Sequence, residues 1–162
     1  MPTPRRITYE YASDPDTVAK LLVDADFLRR RSEAAGDTNV EVKVEELGDG
    51  MHITVARNRE IDLPAFAKKI ISPQNRIVED TTWRRENGQW VAEYFVQVAG
   101  VPGEVRGKST LKASAQGTIY ESNFQVTSRI PIVGGKLEAV VADKLEETFR
   151  INAERNAKQL EG

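Results

Sequence analysis

Two hydrophobic periods divide the chain. Ile7, Tyr9 and Tyr11 alternate with polar residues, which predicts a first strand over 5–12. From residue 38 onward alternation dominates. Val40, Val42 and Val44, then Met51, Ile53 and Val55, flank the tight turn Gly48-Asp49-Gly50, so 38–58 reads as a hairpin. Strands follow at 76–85, with Ile77, Thr81 and Trp83 on one face, and at 89–99, with Trp90, Ala92, Tyr94, Val96 and Val98 on one face. Asn87-Gly88 joins them, a pair suited to the positive φ angles of a type I′ turn. Pro102-Gly103 and Gly117 bound two more strands, 104–115 and 118–130. The first carries Val105, Ser109, Leu111 and Ala113 on one face, and the second Tyr120, Phe124, Val126 and Ile130.

The helical period appears in two places. After the first strand, Ser13 or Asp14 can cap a helix opened by Pro15, whose missing N–H costs nothing at the first helical position. Val18, Leu21 and Leu22 form its stripe. Asp26 is the expected cap of a second helix carrying Phe27, Leu28 and Ala35 and ended by Gly36. Residues 60–72 predict a loop with a short helical turn. After the break at Pro131-Ile132-Val133-Gly134-Gly135, Leu137, Val141, Leu145, Phe149 and Ala153 recur every fourth residue on a charged background. That predicts one long amphipathic helix, about 40 Å at about 1.5 Å per residue.

The order is therefore one strand, two short helices, six strands and a long helix. Strands with one apolar face, joined by short turns, form an antiparallel meander. The expected class is α+β, with a seven-stranded curved sheet wrapping the C-terminal helix in a single domain over 1–162. Trp83, Tyr94, Tyr120 and Phe124 partly fill the concave face, but Ala92, Ser109, Ala113, Ser122 and Ser128 share it, which permits a cavity.

Composition narrows the function. Hydrophobic residues make up 40% and charged residues 30% of the 162 residues, as in a globular chain. The formal charge is −2 with no basic tail, which argues against nucleic acid. The chain lacks cysteine, so disulfides, thiolate catalysis and thiolate metal sites are excluded. No signal peptide or membrane-spanning run is expected. Arg5-Arg6 lacks the apolar segment of a twin-arginine signal, and a cytoplasmic location is expected.

Chemistry has few candidates. His52 is the single histidine, opposite in phase to Met51 and Ile53, and is expected on the solvent face. A lone histidine without cysteine does not supply a zinc ligand set, and neither metal nor cofactor is expected. No Ser has His and Asp partners for a triad. Glu79 shares the phase of Ile77 and Trp83, so it is the candidate polar cavity group, with a pKa raised if it is buried. Arg57 shares the phase of Met51, Ile53 and Val55 and is expected to snorkel at a strand end. Arg29-Arg30-Arg31 reads as a solvated helix face. Gly134-Gly135 precedes a helix but lacks the rest of a phosphate-binding pattern. The expected cavity lining is Trp83, Tyr94, Ser109, Tyr120, Phe124, Val141, Leu145 and Phe149.

The chain resembles the helix-grip superfamily of START lipid-transfer domains, birch-pollen-allergen-like proteins and polyketide cyclases. Within it, the chain is most similar to domain-of-unknown-function family 2505. The resemblance spans nearly the whole chain. It rests on Ile7 to Leu22, Leu63-Pro64, Asp80 to Trp83 and Gly107 to Gly117, and most specifically on the segment Ile130-Pro131-Ile132-Val133-Gly134-Gly135-Lys136-Leu137-Glu138. It implies the helix-grip fold and a cavity for a small apolar ligand such as a lipid, isoprenoid or polyketide. It supplies no catalytic residues. A cyclase or dehydratase using the same cavity, and a protein-interaction domain like the superfamily's chaperone-activating members, are the alternatives.

Overall fold

The computed structural model describes residues 4–72 and 74–162. Its elements are β1 (Arg5–Tyr11), α1 (Pro15–Leu22), α2 (Ala25–Ala34), β2 (Thr38–Leu47), β3 (Gly50–Glu60), α3 (Ala65–Lys68), β4 (Gln74–Glu86), β5 (Gln89–Val98), β6 (Gly103–Ser114), β7 (Gly117–Ser128) and α4 (Gly134–Glu161). The sheet is antiparallel throughout, in the order β1-β7-β6-β5-β4-β3-β2. Consecutive strands β2 to β7 are neighbours, and β1 closes beside β7. This is the helix-grip arrangement expected from the element order.

Local signals set the element ends. The Asp14 side chain caps α1 by accepting from the Thr17 amide, and Pro15 occupies the first turn. The cap of α2 is Asp24, not Asp26. Asp24 accepts from the Phe27 amide at 3.1 Å, while Asp26 lies two residues further on, already inside the first turn, and pairs with Arg30. Both residues fit a cap by type, and the position one turn ahead of Phe27 and Leu28 decided between them. Gly36 follows α2 at φ 94°, and Asn87 and Gly88 turn β4 into β5 at φ 52° and 77°.

Pairing register places the concave residues in rows across the sheet. One row runs Ile53, Thr81, Tyr94, Gly107 and Phe124, and the next runs Val55, Glu79, Val96, Val105 and Val126. Another runs Met51, Trp83, Ala92, Ser109 and Ser122. Large and small side chains thus lie beside each other. The Tyr94 ring lies over Gly107, where an added Cβ would come within 2.2 Å of the ring.

Helix α4 is 28 residues long. It comes closest to β1, β7 and α1. Arg5 on β1 holds it from outside, donating to Asp143 at 2.9 Å and Glu146 at 3.1 Å. A stripe spaced by four drifts around a helix of about 3.6 residues per turn. Leu137 and Ala153, at its two ends, are buried at 2% and 7% exposure, whereas Val141, Leu145 and Phe149 between them are only partly buried. The buried core falls into three clusters along this helix. One gathers Tyr11, Val18, Phe27, Leu28, Trp83 and Ala153, and the second is built on Tyr94, Val96, Phe124 and Ala142. The third holds Leu63, Ala67, Ile71 and Leu137.

Gly107→Ala is expected to destabilise the fold by about 1–3 kcal/mol by forcing the Tyr94 ring aside. The measurement is urea unfolding at neutral pH. A midpoint unchanged from wild type would refute the close packing of Tyr94 on β6.

Candidate ligand cavity

The seams between the clusters are open. An outer chamber of about 290 Å³ lies between the second and third clusters. Ile61, Leu63, Ile71, Val98, Val101, Leu137 and Val141 give it a mainly apolar wall, with Glu60, Asp62, Glu104 and Lys144 among its other lining residues. An inner chamber of about 120 Å³ lies between the first and second clusters. The two share Arg57, Val96, Leu145 and Thr148, so they meet under the middle of α4. A groove between β1 and α4, lined by Ile7, Tyr9 and Phe149 among others, runs along the helix's other side.

Most of the expected lining residues lie here. Trp83, Tyr94, Ser109, Tyr120, Phe149 and Glu79 line the inner chamber, and Leu145 lines both. Val141 lines only the outer chamber. Phe124 lines none of these spaces. It is 2% exposed, and its ring stacks on Phe149 at 5.9 Å, so it is a wall behind the wall.

The inner chamber sets polar groups among apolar ones such as Leu28, Ile53 and Trp83. Tyr94 Oη and Ser122 Oγ lie 2.7 Å apart, Ser109 donates to Ser122 at 3.0 Å, and Ser109 and Tyr120 lie 3.2 Å apart. These hydroxyls satisfy one another across three strands. Burial raises the phenol pKa of Tyr94 and Tyr120 above the ordinary tyrosine value, and that of Tyr11 to about 12, so all three hydroxyls are protonated at neutral pH.

A chain of charges runs beside them. Arg59 grips Asp37 at 2.7 and 2.8 Å, and Ser32 also donates to that carboxylate. Arg57 Nη1 donates to Glu79 at 3.0 Å, while its Nε stands 3.9 Å from Asp37. Burial alone pushes the Glu79 carboxyl up. The Arg57 and Arg31 charges and the Arg57 hydrogen bond outweigh it and hold the carboxyl below its ordinary range. The expectation of a raised pKa at Glu79 is thus reversed. Its phase read correctly, but its partners on β3 and α2 are set by pairing and helix docking. Asp37 behaves alike: burial raises it, and Arg59, Ser32 and Arg57 more than reverse that.

Three expectations about other side chains change. Arg57 does not snorkel; it is 9% exposed and lines both chambers. Arg29 and Arg30 are exposed, but Arg31 turns inward to line the inner chamber, where its Nη1 donates to Asn156 at 3.1 Å. Asn156 in turn donates to Tyr11 Oη at 3.1 Å. Periodicity carried the missed signal, since Arg31 lies one turn beyond Phe27 and Leu28, and Asn156 one turn beyond Ala153. Gly134 and Gly135 form the first turn of α4, and the carboxylate of Glu138 takes the Ser128 amide at 2.7 Å there. His52 lies on the other face of β3, where its Nε2 is 3.1 Å from Asp80.

A family model described as "Protein of unknown function (DUF2505)" matches residues 6–159. No curated protein matches the chain. Solved structures with the same fold include Ara h 8.0201, at a TM-score of 0.64 and 10% identity over 99% of this chain and 98% of that one. Norcoclaurine synthase from Thalictrum flavum aligns at 0.58 and 10% identity over 99% and 87%. A START superfamily protein from Mycobacterium smegmatis aligns at 0.55 and 12% identity over 97% and 98%. At such identities the likeness is one of fold. The chain belongs to the DUF2505 family.

Asp37→Asn is expected to destabilise the protein by about 3 kcal/mol at neutral pH, because it uncovers buried guanidinium charge. The depressed carboxyls of Asp37 and Glu79 contribute stability that is complete above their ordinary values of 3.8 and 4.5. That stability is lost as pH falls through their lower folded-state values. Urea midpoints measured from neutral to strongly acidic pH should therefore fall less steeply for Asp37→Asn than for wild type. Parallel curves would contradict the assignment.

Proposed function

We propose that this DUF2505 family member holds a small, largely apolar molecule, of the lipid, isoprenoid or polyketide kind, between its sheet and α4. One observation carries the proposal: the middle of the α4 stripe faces open space. Val141, Leu145 and Phe149 would be core residues in a filled fold, yet they line connected chambers. The outer chamber is close to the lower end of ordinary ligand sites, about 300 Å³. Each 100 Å² of apolar ligand surface buried there would contribute about 2.5 kcal/mol before ordering costs.

Holding a ligand fits the chamber better than acid catalysis does. A general acid needs a proton at neutral pH, and Glu79 is held ionised by Arg57 and Arg31. The fold is shared with a START superfamily protein and with a synthase, so it suits holding and turnover alike, and the ionised Glu79 favours holding. Among the described residues no helix is long and apolar enough to cross a membrane.

Titration with Nile red, a neutral apolar dye, tests the proposal. Saturable binding at one dye per chain is expected, and Val141→Trp or Leu145→Trp should weaken it at least about tenfold, since an indole would fill the outer chamber from position 141 and the meeting point of the chambers from position 145. Circular dichroism checks that each variant is folded. Absence of saturable binding, or binding indifferent to both substitutions, would overturn the proposal.

A further inference from the structure

The inner chamber holds more positive charge than its surroundings balance. Arg31, Arg57 and Arg59 face Asp37 and Glu79, and Arg59 takes both oxygens of Asp37. Glu79 is left to Arg57. Arg31 is left with the amide oxygen of Asn156, a neutral partner. Burial lowers the Arg31 pKa, with the charge of Arg57 acting in the same direction and that of Glu79 opposing.

Arg57 adds a second, independent sign. Its residue is more than nine-tenths buried, yet among the described residues only its Nη1 makes a hydrogen bond, while the enclosed Nε is turned to Asp37 at 3.9 Å. A buried donor left without a partner is destabilising, and more so on a charged group. Both guanidiniums line the same small chamber, beside the neutral hydroxyls of Tyr11 and Tyr120. Glu79 is the one carboxylate among the chamber's lining residues, so two guanidiniums face a single negative charge and an acceptor carrying negative charge would balance them.

We infer that the inner chamber is an anion pocket that takes the carboxylate of an amphiphilic ligand on Arg31 and Arg57, while the ligand's apolar body fills the outer chamber. This rests on the cavity being a ligand site, and it specifies the ligand's chemistry as an apolar molecule ending in one carboxylate. A carboxylate suits the fork of a guanidinium better than a hydroxyl does. Space agrees, because about 120 Å³ admits a headgroup and the chambers share Leu145 and Val96, beyond which the outer chamber is mainly apolar.

Titration calorimetry with decanoate and decanol on the wild-type protein at neutral pH tests this. Decanoate is expected to bind at least about tenfold more tightly, the worth of a charge-assisted hydrogen bond. Arg31→Gln should bring decanoate to within about threefold of decanol and leave decanol unchanged, with the melting transition confirming the fold. Because Arg57→Gln alone would strand Glu79, Arg57 is tested as Arg57→Gln with Glu79→Gln, and the same loss of preference is expected. Equal binding of the two probes to wild type, or a decanoate preference that survives both sets of substitutions, would overturn the anion pocket. With decanol or Nile red still held, the apolar-ligand reading would stand alone. If decanoate, decanol and Nile red all fail to bind, both readings fall. The wild-type comparison needs no variant, so a substitution that unfolds the chain does not remove the test.

Discussion

The apolar concave face of the sheet must be covered, and α4 is the only element long enough to cover it. The helix is fixed at both ends. Leu137 packs with Leu63, Ala67 and Ile71 at one, and Ala153 with Tyr11, Phe27 and Trp83 at the other. Arg5 ties its middle to β1 from outside through Asp143 and Glu146. A straight helix pinned this way bridges the hollow of a curved sheet. The hollow then depends on what the strands send up into it. Gly107, Ala92, Ser109 and Ser122 send up little, and Tyr94 spends its ring covering Gly107 on the way to Ser122. The chambers follow from that shortage of volume.

The same curvature explains why charge lies inside. α2 docks against β2 at the open end of the sheet and brings Ser32 and Asp37 down to the level of β3. Asp37 has a side chain only 1% exposed and can serve one guanidinium fully. Arg59 is that one, at two short contacts, and Arg57 stays at 3.9 Å. Each link in the chain therefore passes the deficit inward, from Asp37 to Arg57, then to Glu79 and Arg31. An apolar residue at position 31 would have packed on Phe27 at lower cost.

Much of this was legible in the sequence. Strand periods, the Asn87-Gly88 turn and the α4 stripe define the architecture, since alternation fixes which side chains share a face. Trp83, Tyr94, Ser109, Tyr120 and Glu79 could be assigned to the concave side on phase alone. Phase cannot report distance, so it did not separate Phe124, sealed behind Phe149, from Tyr94, which reaches the chamber. Nor could it give the state of Glu79, which depends on Arg57 across the β3–β4 ladder and on Arg31 from a helix distant in sequence. Arg31 was hidden by its neighbours: three consecutive arginines look like one solvated face, although consecutive helix positions point about 100° apart.

If the cavity holds a ligand, the buried guanidiniums of the inner chamber would also act as a filter. A purely hydrocarbon ligand pushed to the end of the cavity would strip water from Arg31 and Arg57 and return nothing to them. A ligand with too bulky a head would not fit an inner chamber of about 120 Å³. Sites built to satisfy a charged group discriminate strongly against molecules that lack it, because the unpaired group then carries the penalty. The outer chamber, mainly apolar, discriminates weakly and by size. On the proposed reading, selectivity would therefore be set at the inner end, by residues of α2, β3 and β4, while α4 would supply the surface against which the rest of the ligand is held.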